Sequence, residues 1–300
     1  MGADCKWKGL LLWAPLVIAS WPLGALLAYQ RPRFRPGFNL FSPQQDMVIG
    51  RQAAAQLDHK LPLINDPEIV RYVSRLGRHL AEYAPNQKGF HYDWTFHVVN
   101  SDDINAFALP GGYIFVNRGA IKAALDEAQM AGVLAHEEGH VVMRHGTHQA
   151  SERLLAEAPL EILSGYLGQS GSLLTQIAQL GIGFGLNSIF LQNSRNMEAQ
   201  ADRVGTYILY QAGYDPYAMA QFFEIIQRKH PQRTIQFFSD HPDPGNRIQA
   251  VEEEIPELGP RRRWKTDSPQ FEAIKQRLLA MPPPPKPKTG EPTSAAPVHQ

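Results

Sequence analysis

Two histidines that lie four residues apart, with a glutamate directly after the first, are the residues of this chain best suited to chemistry. The stretch runs from His136 to His140 and reads HEEGH. On an α-helix, positions i and i+4 share a face, so both imidazoles can reach one metal ion. Glu137 would then point beside that ion, where a carboxylate can act as a general base. The pattern is the HExxH motif typical of zinc hydrolases.

A third protein ligand must come from another part of the chain, because a catalytic zinc ion takes three. The extension HExxHxxGxxH would supply a third histidine, but Met143 and Gly146 occupy its glycine and histidine positions. Downstream, Glu198 and Asp202 lie one helical turn apart. We expect Glu198 to complete a His2Glu site for one zinc ion (Zn2+) per chain. Asp202 is expected to accept a hydrogen bond from one of the two ligand histidines.

Four separated segments of the chain resemble one known protein family. They are residues 105–116, 136–147, 198–205, and 240–244 followed by Arg247. Their order and spacing resemble the HtpX, Oma and CAAX prenyl protease family of gluzincins, metallopeptidase family forty-eight. The resemblance implies zinc-dependent hydrolysis of peptide bonds in protein or peptide substrates. It also implies an extracytoplasmic or membrane-associated protease, and the chain looks like a minimal member of the periplasmic branch.

The strands that could hold a substrate are predicted from composition. Runs rich in β-branched and aromatic residues predict strands at 94–99 and 113–116. A strand edge beside the helix that carries His136 and His140, here called the zinc helix, could bind an extended peptide through main-chain hydrogen bonds. The resemblance implies that role for six consecutive residues: Ala108, Leu109, Pro110, Gly111, Gly112 and Tyr113. The alternative is a hairpin that only buries Phe107 and Phe115.

His241 lies in a proline-flanked loop, whose stiff backbone could hold the imidazole at a fixed place. The resemblance implies that this loop lies at the active-site cleft. His241 could be catalytic, by donating a hydrogen bond to the oxyanion, or it could cap the zinc as a fourth ligand in a resting state. A plain surface turn is the third possibility. We expect His145 and His148 to be non-ligands near the C-terminus of the zinc helix.

Composition fits one domain with extensions and limits the chemistry. The 300 residues are 43% hydrophobic, which allows a substantial core, and a formal net charge of zero gives no reason to expect a nucleic-acid partner. The single cysteine, Cys5, lies outside the predicted domain, so neither a thiol nucleophile nor a disulfide framework is available. The predicted fold class is α+β, predominantly helical and zincin-like, with a small sheet beside the zinc helix.

The extensions lie at the two ends of the chain. Residues 9–29 are almost wholly apolar and long enough to span a bilayer once, so they predict a membrane anchor or a cleaved signal segment. We expect an N-terminal segment at 1–35, a zinc metallopeptidase domain at 36–272, and the end of a terminal helix with a disordered proline-rich tail at 273–300. Residues 160–191 predict a mobile flap over the cleft or a buried amphipathic helix.

These features together predict a zinc metalloendopeptidase that cuts misfolded or flexible envelope proteins, with Glu137 as general base toward a zinc-activated water. We expect it on the periplasmic side, anchored by residues 9–29 or secreted; no residue pattern indicates an oligomeric state. One alternative is a chaperone-like or assembly factor that holds polypeptides and hydrolyses little. Another is an enzyme restricted to one peptide or lipoprotein partner. A structural zinc needs no adjacent general base, which favours hydrolysis.

Overall fold

The computed structural model describes residues 32–85, 91–157, 193–229, 236–242, 245–259 and 263–285. Three predicted features lie outside these residues: the apolar segment at 9–29, the flap or helix at 160–191, and most of the proline-rich tail. Among the helices that are described, none combines the length and the apolar character that crossing a membrane requires.

Helices dominate the described residues, which also contain one small sheet. The helices are α1 Pro43–Lys60, α2 Pro67–Ala81, α3 Arg118–Ala123, α4 Glu127–Val142, α5 His145–Glu157, α6 Arg195–Ala212, α7 Ala218–Lys229, α8 Gln236–Asp240, α9 Arg247–Leu258 and α10 Pro269–Ala280. The strands are β1 Thr95–Val99, β2 Ala106–Leu109 and β3 Tyr113–Asn117. The predicted class, a mostly helical α+β fold with a small sheet, is confirmed.

The three strands run in the order β1-β3-β2, with β1 parallel and β2 antiparallel to the central β3. Phe107 lies opposite Phe115, and their rings stack with centroids 5.0 Å apart. Gly111 and Gly112 turn the chain between β2 and β3 at φ values of 79° and 101°, which favour glycine. The predicted strands at 94–99 and 113–116 correspond to β1 and β3. Composition gave no signal for β2, because its sequence AFAL contains no β-branched residue.

Helix α4, which carries HEEGH, is buried along its whole length. Gly139 allows α6 to approach, because a Cβ added there would lie 2.6 Å from the carbonyl oxygen of Ala201. Gly132 has the same function toward α7, where an added Cβ would lie 2.7 Å from the Cα of Met219. The close packing of α4 and α6 brings the two helices that hold the predicted metal ligands side by side.

The N-terminus of α4 is fixed by the buried carboxylate of Glu127. That carboxylate accepts hydrogen bonds from the hydroxyls of Tyr72, Tyr214 and Ser268 and from the ammonium of Lys265. Burial would raise the pKa of Glu127, but hydrogen bonds from Lys265, Ser268 and Tyr214 outweigh it and hold the pKa below its ordinary value. The charged carboxylate therefore joins α2, the loop after α6 and the segment before α10 to the start of the zinc helix.

Candidate metal centre

Four side chains from α4, α6 and the turn after α8 converge at one point. They are His136, His140, Glu198 and His241, all buried, and their potential ligand atoms lie within 4.8 Å of one another. Nε2 of His136 is 3.1 Å from Nε2 of His140 and 3.2 Å from a carboxylate oxygen of Glu198. Nδ1 of His241 is 3.3 Å from Nε2 of His136 and 3.1 Å from Glu198. The structure thus brings together the three residues predicted as ligands and adds His241.

These distances suit a common zinc ion. Zinc binds imidazole nitrogen and carboxylate oxygen at about 2.0–2.2 Å, so neighbouring corners of a tetrahedral site lie about 3.3–3.6 Å apart. Five of the six residue pairs have ligand atoms 3.1 to 3.3 Å apart, close to that edge length, and all four residues offer ligand atoms within 4.8 Å of one another. Three imidazoles and one carboxylate are also ligand types that zinc prefers. The residues present therefore fit the metal that the sequence implies.

The buried charges also favour a cation at this point. Burial would raise the pKa of Glu198, but His241, His140 and His136 outweigh it and hold the pKa well below its ordinary value. Burial would lower the pKa of His136, yet the carboxylates of Glu198 and Asp202 raise it to about 9. Burial lowers the pKa of His140 well below its ordinary value, and the carboxylate of Glu198 offsets only part of that fall. The ionised Glu198 needs a positive charge beside it, which a metal ion supplies.

Asp202 and Arg247 back the cluster on the side of His136. Nδ1 of His136 lies 2.9 Å from a carboxylate oxygen of Asp202, the contact expected for a group that orients a ligand histidine. The guanidinium of Arg247 donates to Asp202 at 2.6 Å and to Glu198 at 3.5 Å, and it lies 4.3 Å above the ring of Phe223. Arg247 belongs to the segments that carry the family resemblance, but the sequence predicts no contact for it, because no helical spacing relates it to Asp202.

His145 and His148 are not among the four converging side chains, and they follow the end of the zinc helix at Val142. Both belong to α5, and His145 is its first residue. Its Nδ1 lies 2.9 Å from Nδ1 of His140. Burial lowers the pKa of His145 to about 4, and the positive end of the α5 dipole also disfavours an imidazolium there. His145 is therefore a neutral imidazole in contact with a proposed metal ligand.

Glu137 is one of the residues that line the cleft beside the cluster. Both of its carboxylate oxygens are buried, and neither has a hydrogen-bond partner among the described residues. Burial raises the pKa of Glu137, and His241 and His136 offset part of that rise. Nε2 of His241 is 3.6 Å from the nearer carboxylate oxygen. A carboxylate with unused acceptor capacity thus lies beside the four potential ligands.

The predicted substrate-binding residues divide into two groups. Ala108, Leu109 and Pro110 line the cleft together with Glu137, His140 and His241. The other three residues pack away from it. Gly111 lies against the backbone of α1, Gly112 lies against Tyr92 and Trp94, and Tyr113 is buried in β3. The cleft is therefore bordered by β2, which is an edge strand of the sheet.

The comparisons with known proteins agree with this geometry. The family model described as Peptidase family M48 matches residues 68–255. The β-barrel assembly-enhancing protease of Escherichia coli (strain K12) is 32% identical over 248 residues, which are 79% of this chain and 49% of that protein. The mitochondrial metalloendopeptidase OMA1 of Schizosaccharomyces pombe is 33% identical over 171 residues, 56% of this chain and 49% of that protein. The chain spans about half the length of these curated relatives.

Proposed function

This chain belongs to peptidase family M48, and we propose that it is a zinc metalloendopeptidase that hydrolyses misfolded or flexible segments of envelope proteins. The family predicted from the four sequence segments is confirmed. The observation that supports the proposal most is the convergence of His136, His140 and Glu198 beside Glu137, whose carboxylate lines the cleft. A structural zinc site would not require a carboxylate in that position.

His136, His140 and Glu198 would hold the zinc ion, with Asp202 orienting His136 through its Nδ1–H. When bound, zinc supplies Lewis acidity, which polarises a scissile carbonyl and makes water easier to deprotonate. Glu137 accepts the proton of the attacking water and later delivers it to the leaving amine. Its raised pKa suits this exchange, because a more basic carboxylate removes a proton more readily and releases it at a pH nearer neutrality. No covalent bond to the protein forms.

The edge of β2 is suited to hold the substrate in an extended conformation. The carbonyl oxygen of Ala106 points away from β3, as its contact with Nε2 of His241 at 3.3 Å shows. Side chains and backbone groups alternate along a strand, so the main-chain groups of Ala108 face the same side as those of Ala106. We propose that these groups pair with a substrate strand, which gives affinity for many unfolded sequences with little side-chain selectivity.

His241 acts, in this proposal, as the fourth ligand of a resting state. Its Nδ1 is 3.3 Å from Nε2 of His136, and its Nε2 faces Ala106 and Glu137, so the ring fills the space between the cluster and the edge strand. This arrangement supports capping over a role at the oxyanion, because Nδ1 lies 3.3 Å from Nε2 of His136 and 3.1 Å from Glu198, among the other potential ligand atoms. Substrate entry would then require His241 to move.

The substrate class and location rest on the relatives as well as on the site. The Escherichia coli relative is named for enhancing β-barrel assembly, and the yeast relative is named as a mitochondrial metalloendopeptidase. We propose an extracytoplasmic location, with residues 9–29 as membrane anchor or signal segment. A protease that binds main-chain groups at a strand edge would select exposed, extended segments, which incompletely folded envelope proteins provide.

Glu137→Gln tests the hydrolytic function. We expect the variant to bind one zinc ion per chain and to lose casein cleavage, because glutamine cannot accept the proton. Glu138→Gln is the matched control: Glu138 is also fully buried in the motif but does not line the cleft. Burial raises the pKa of Glu138 well above normal, so neutral glutamine replaces a neutral acid and activity should persist.

Two outcomes would contradict the proposal. If Glu137→Gln cleaves casein at the wild-type rate, Glu137 is not the general base. If the wild-type protein contains zinc and binds unfolded protein but does not cleave it, the chain is a polypeptide-binding or assembly factor. Replacing His136 or Glu198 with alanine should instead release the metal, which elemental analysis of the purified protein would detect.

A further inference from the structure

The Nδ1 atoms of the two histidines of HEEGH face different groups. Nδ1 of His136 faces the carboxylate of Asp202, an anion. Nδ1 of His140 faces Nδ1 of His145 at 2.9 Å, and Nε2 of His145 lies 3.2 Å from the side-chain oxygen of Gln200 on α6. A neutral imidazole has one donor and one acceptor nitrogen. The donor and the acceptor in each contact from His140 through His145 to Gln200 can therefore be deduced.

A ligand histidine presents a lone pair to the metal from Nε2 and therefore carries its proton on Nδ1. The Nδ1–H of His140 then donates to Nδ1 of His145, which must be unprotonated. His145 consequently carries its proton on Nε2 and donates it to the oxygen of Gln200. The other tautomer of His145 would make two N–H groups face each other at 2.9 Å and leave the Gln200 oxygen beside a lone pair, so two contacts would be lost at once.

The backbone places His145 where it can accept a hydrogen bond from His140 and donate one to Gln200. On a continuous helix, a residue five positions after His140 would lie about 140° around the axis and could not face it. Arg144 interrupts the helix with a φ of 57°, and α5 begins at the next residue. A non-glycine residue in the left-handed region costs roughly 1 kcal/mol or more, and such strain is found where a particular side-chain placement is required.

We propose that His145 is a positioning residue for the metal: it accepts the Nδ1–H of His140, fixes the ligand tautomer and is itself fixed by Gln200. The inference rests on the proposed function, in which His140 binds zinc. His145 is 3% exposed, and its Nδ1 is the acceptor that the structure places 2.9 Å from Nδ1 of His140. Groups that orient metal-bound histidines in this way typically change metal affinity by about 10- to 100-fold when removed.

The test compares zinc affinity among purified full-length variants by competition with a chromophoric chelator. His145→Phe keeps a ring of similar size but has no acceptor, and we expect it to bind zinc about 10- to 100-fold more weakly. His145→Asn should restore most of the affinity, because its amide oxygen can accept where Nδ1 did. His148→Phe, in the same helix and without contact to a ligand, is the matched control and should bind zinc as the wild type does.

Equal affinity of His145→Phe and the wild type would overturn the inference. So would equal weakening by phenylalanine and asparagine, since the loss would then come from packing. If His145→Phe does not fold, Gln200→Leu tests the inference instead. Weakened zinc binding in that variant supports the hydrogen bonds from His140 to His145 and from His145 to Gln200, and unchanged binding refutes them. The absorption spectrum of the cobalt-substituted protein should also differ between His145→Phe and the wild type. A wild-type chain that binds no stoichiometric zinc would instead overturn the proposed function itself.

Discussion

Gly139, inside HEEGH, allows the zinc helix to approach the helix that carries Glu198. A Cβ added at Gly139 would lie 2.6 Å from the carbonyl oxygen of Ala201 and 3.0 Å from its Cα, whereas ordinary contact begins at 3.4 Å. Both are backbone atoms of α6, so no side-chain rotation can relieve the clash. In Gly139→Ala, α6 must therefore move away from α4 by about 0.8 Å, or the core must absorb the strain.

The expected effect is a loss of zinc affinity. Glu198 moves with α6, and a shift of about 0.8 Å exceeds the tolerance of about 0.2 Å on metal–ligand distances. Zinc can bind only if α6 returns, at an overpacking cost of about 1–3 kcal/mol, which corresponds to roughly 5- to 150-fold weaker binding. Alanine also stabilises a helix interior by about 1 kcal/mol relative to glycine, so the metal-free protein should lose little stability.

Gly132→Ala is the matched control for this prediction. It makes the same substitution in the same helix, and its added Cβ would also clash with backbone, 2.7 Å from the Cα of Met219. That residue is on α7, which carries no proposed ligand. Chelator competition and thermal unfolding should show weaker zinc binding only in Gly139→Ala. Equal zinc affinities in both variants and the wild type would refute the reasoning from helix separation.

Three further predictions concern stability. Tyr214→Phe removes one hydroxyl donor to the buried carboxylate of Glu127 and should lower the free energy of unfolding by about 1.5–3 kcal/mol in urea denaturation. Because the pKa of Glu127 is lower in the folded protein, its stabilisation is present above the unfolded pKa near 4.5 and is lost as pH falls through the folded pKa. Stability should therefore fall less steeply below pH 4.5 in Glu127→Gln, as thermal unfolding at several pH values would show. Arg144→Gly relieves the left-handed backbone but removes the pair with buried Asp46, so a net loss of about 2–4 kcal/mol is expected in urea denaturation.

The part of the site that sequence could predict is the part that local helix geometry determines. His136 and His140 share a face through their i, i+4 spacing, and Glu198 and Asp202 do so on α6. Once one helix binds a metal, the second supplies the missing ligand, Glu198, and the carboxylate of Asp202, which lies 2.9 Å from Nδ1 of His136. Both pairs lie where that spacing predicts, and the two helices place His136, His140 and Glu198 in one cluster, with Asp202 beside His136.

The contacts that sequence could not predict depend on the path of the chain between elements. His145 faces His140 only because Arg144 breaks the helix, and a left-handed arginine has no sequence signal of its own. Arg247 reaches Asp202 through packing of α9 on α6, which no periodicity encodes. Strand β2 lacks β-branched residues and owes its conformation to pairing with β3. In each of these cases tertiary structure decides what local propensity leaves open.

His241 and Arg247 connect the metal centre to the least regular part of the described fold. The ring of His241 stacks on Phe237 of α8 with centroids 4.3 Å apart, and Arg247 at the start of α9 donates to both Asp202 and Glu198. In this group of three imidazoles and one carboxylate, burial is outweighed by Glu198, which raises the pKa of both His136 and His241. Without a metal ion, the positive charges on these two rings would repel each other across 3.3 Å in a buried space. His241 is the one member of that group not held by a long helix, so its displacement relieves this repulsion at the lowest cost. If the cluster binds zinc as proposed, metal binding would therefore be thermodynamically coupled to the packing of α8 and α9.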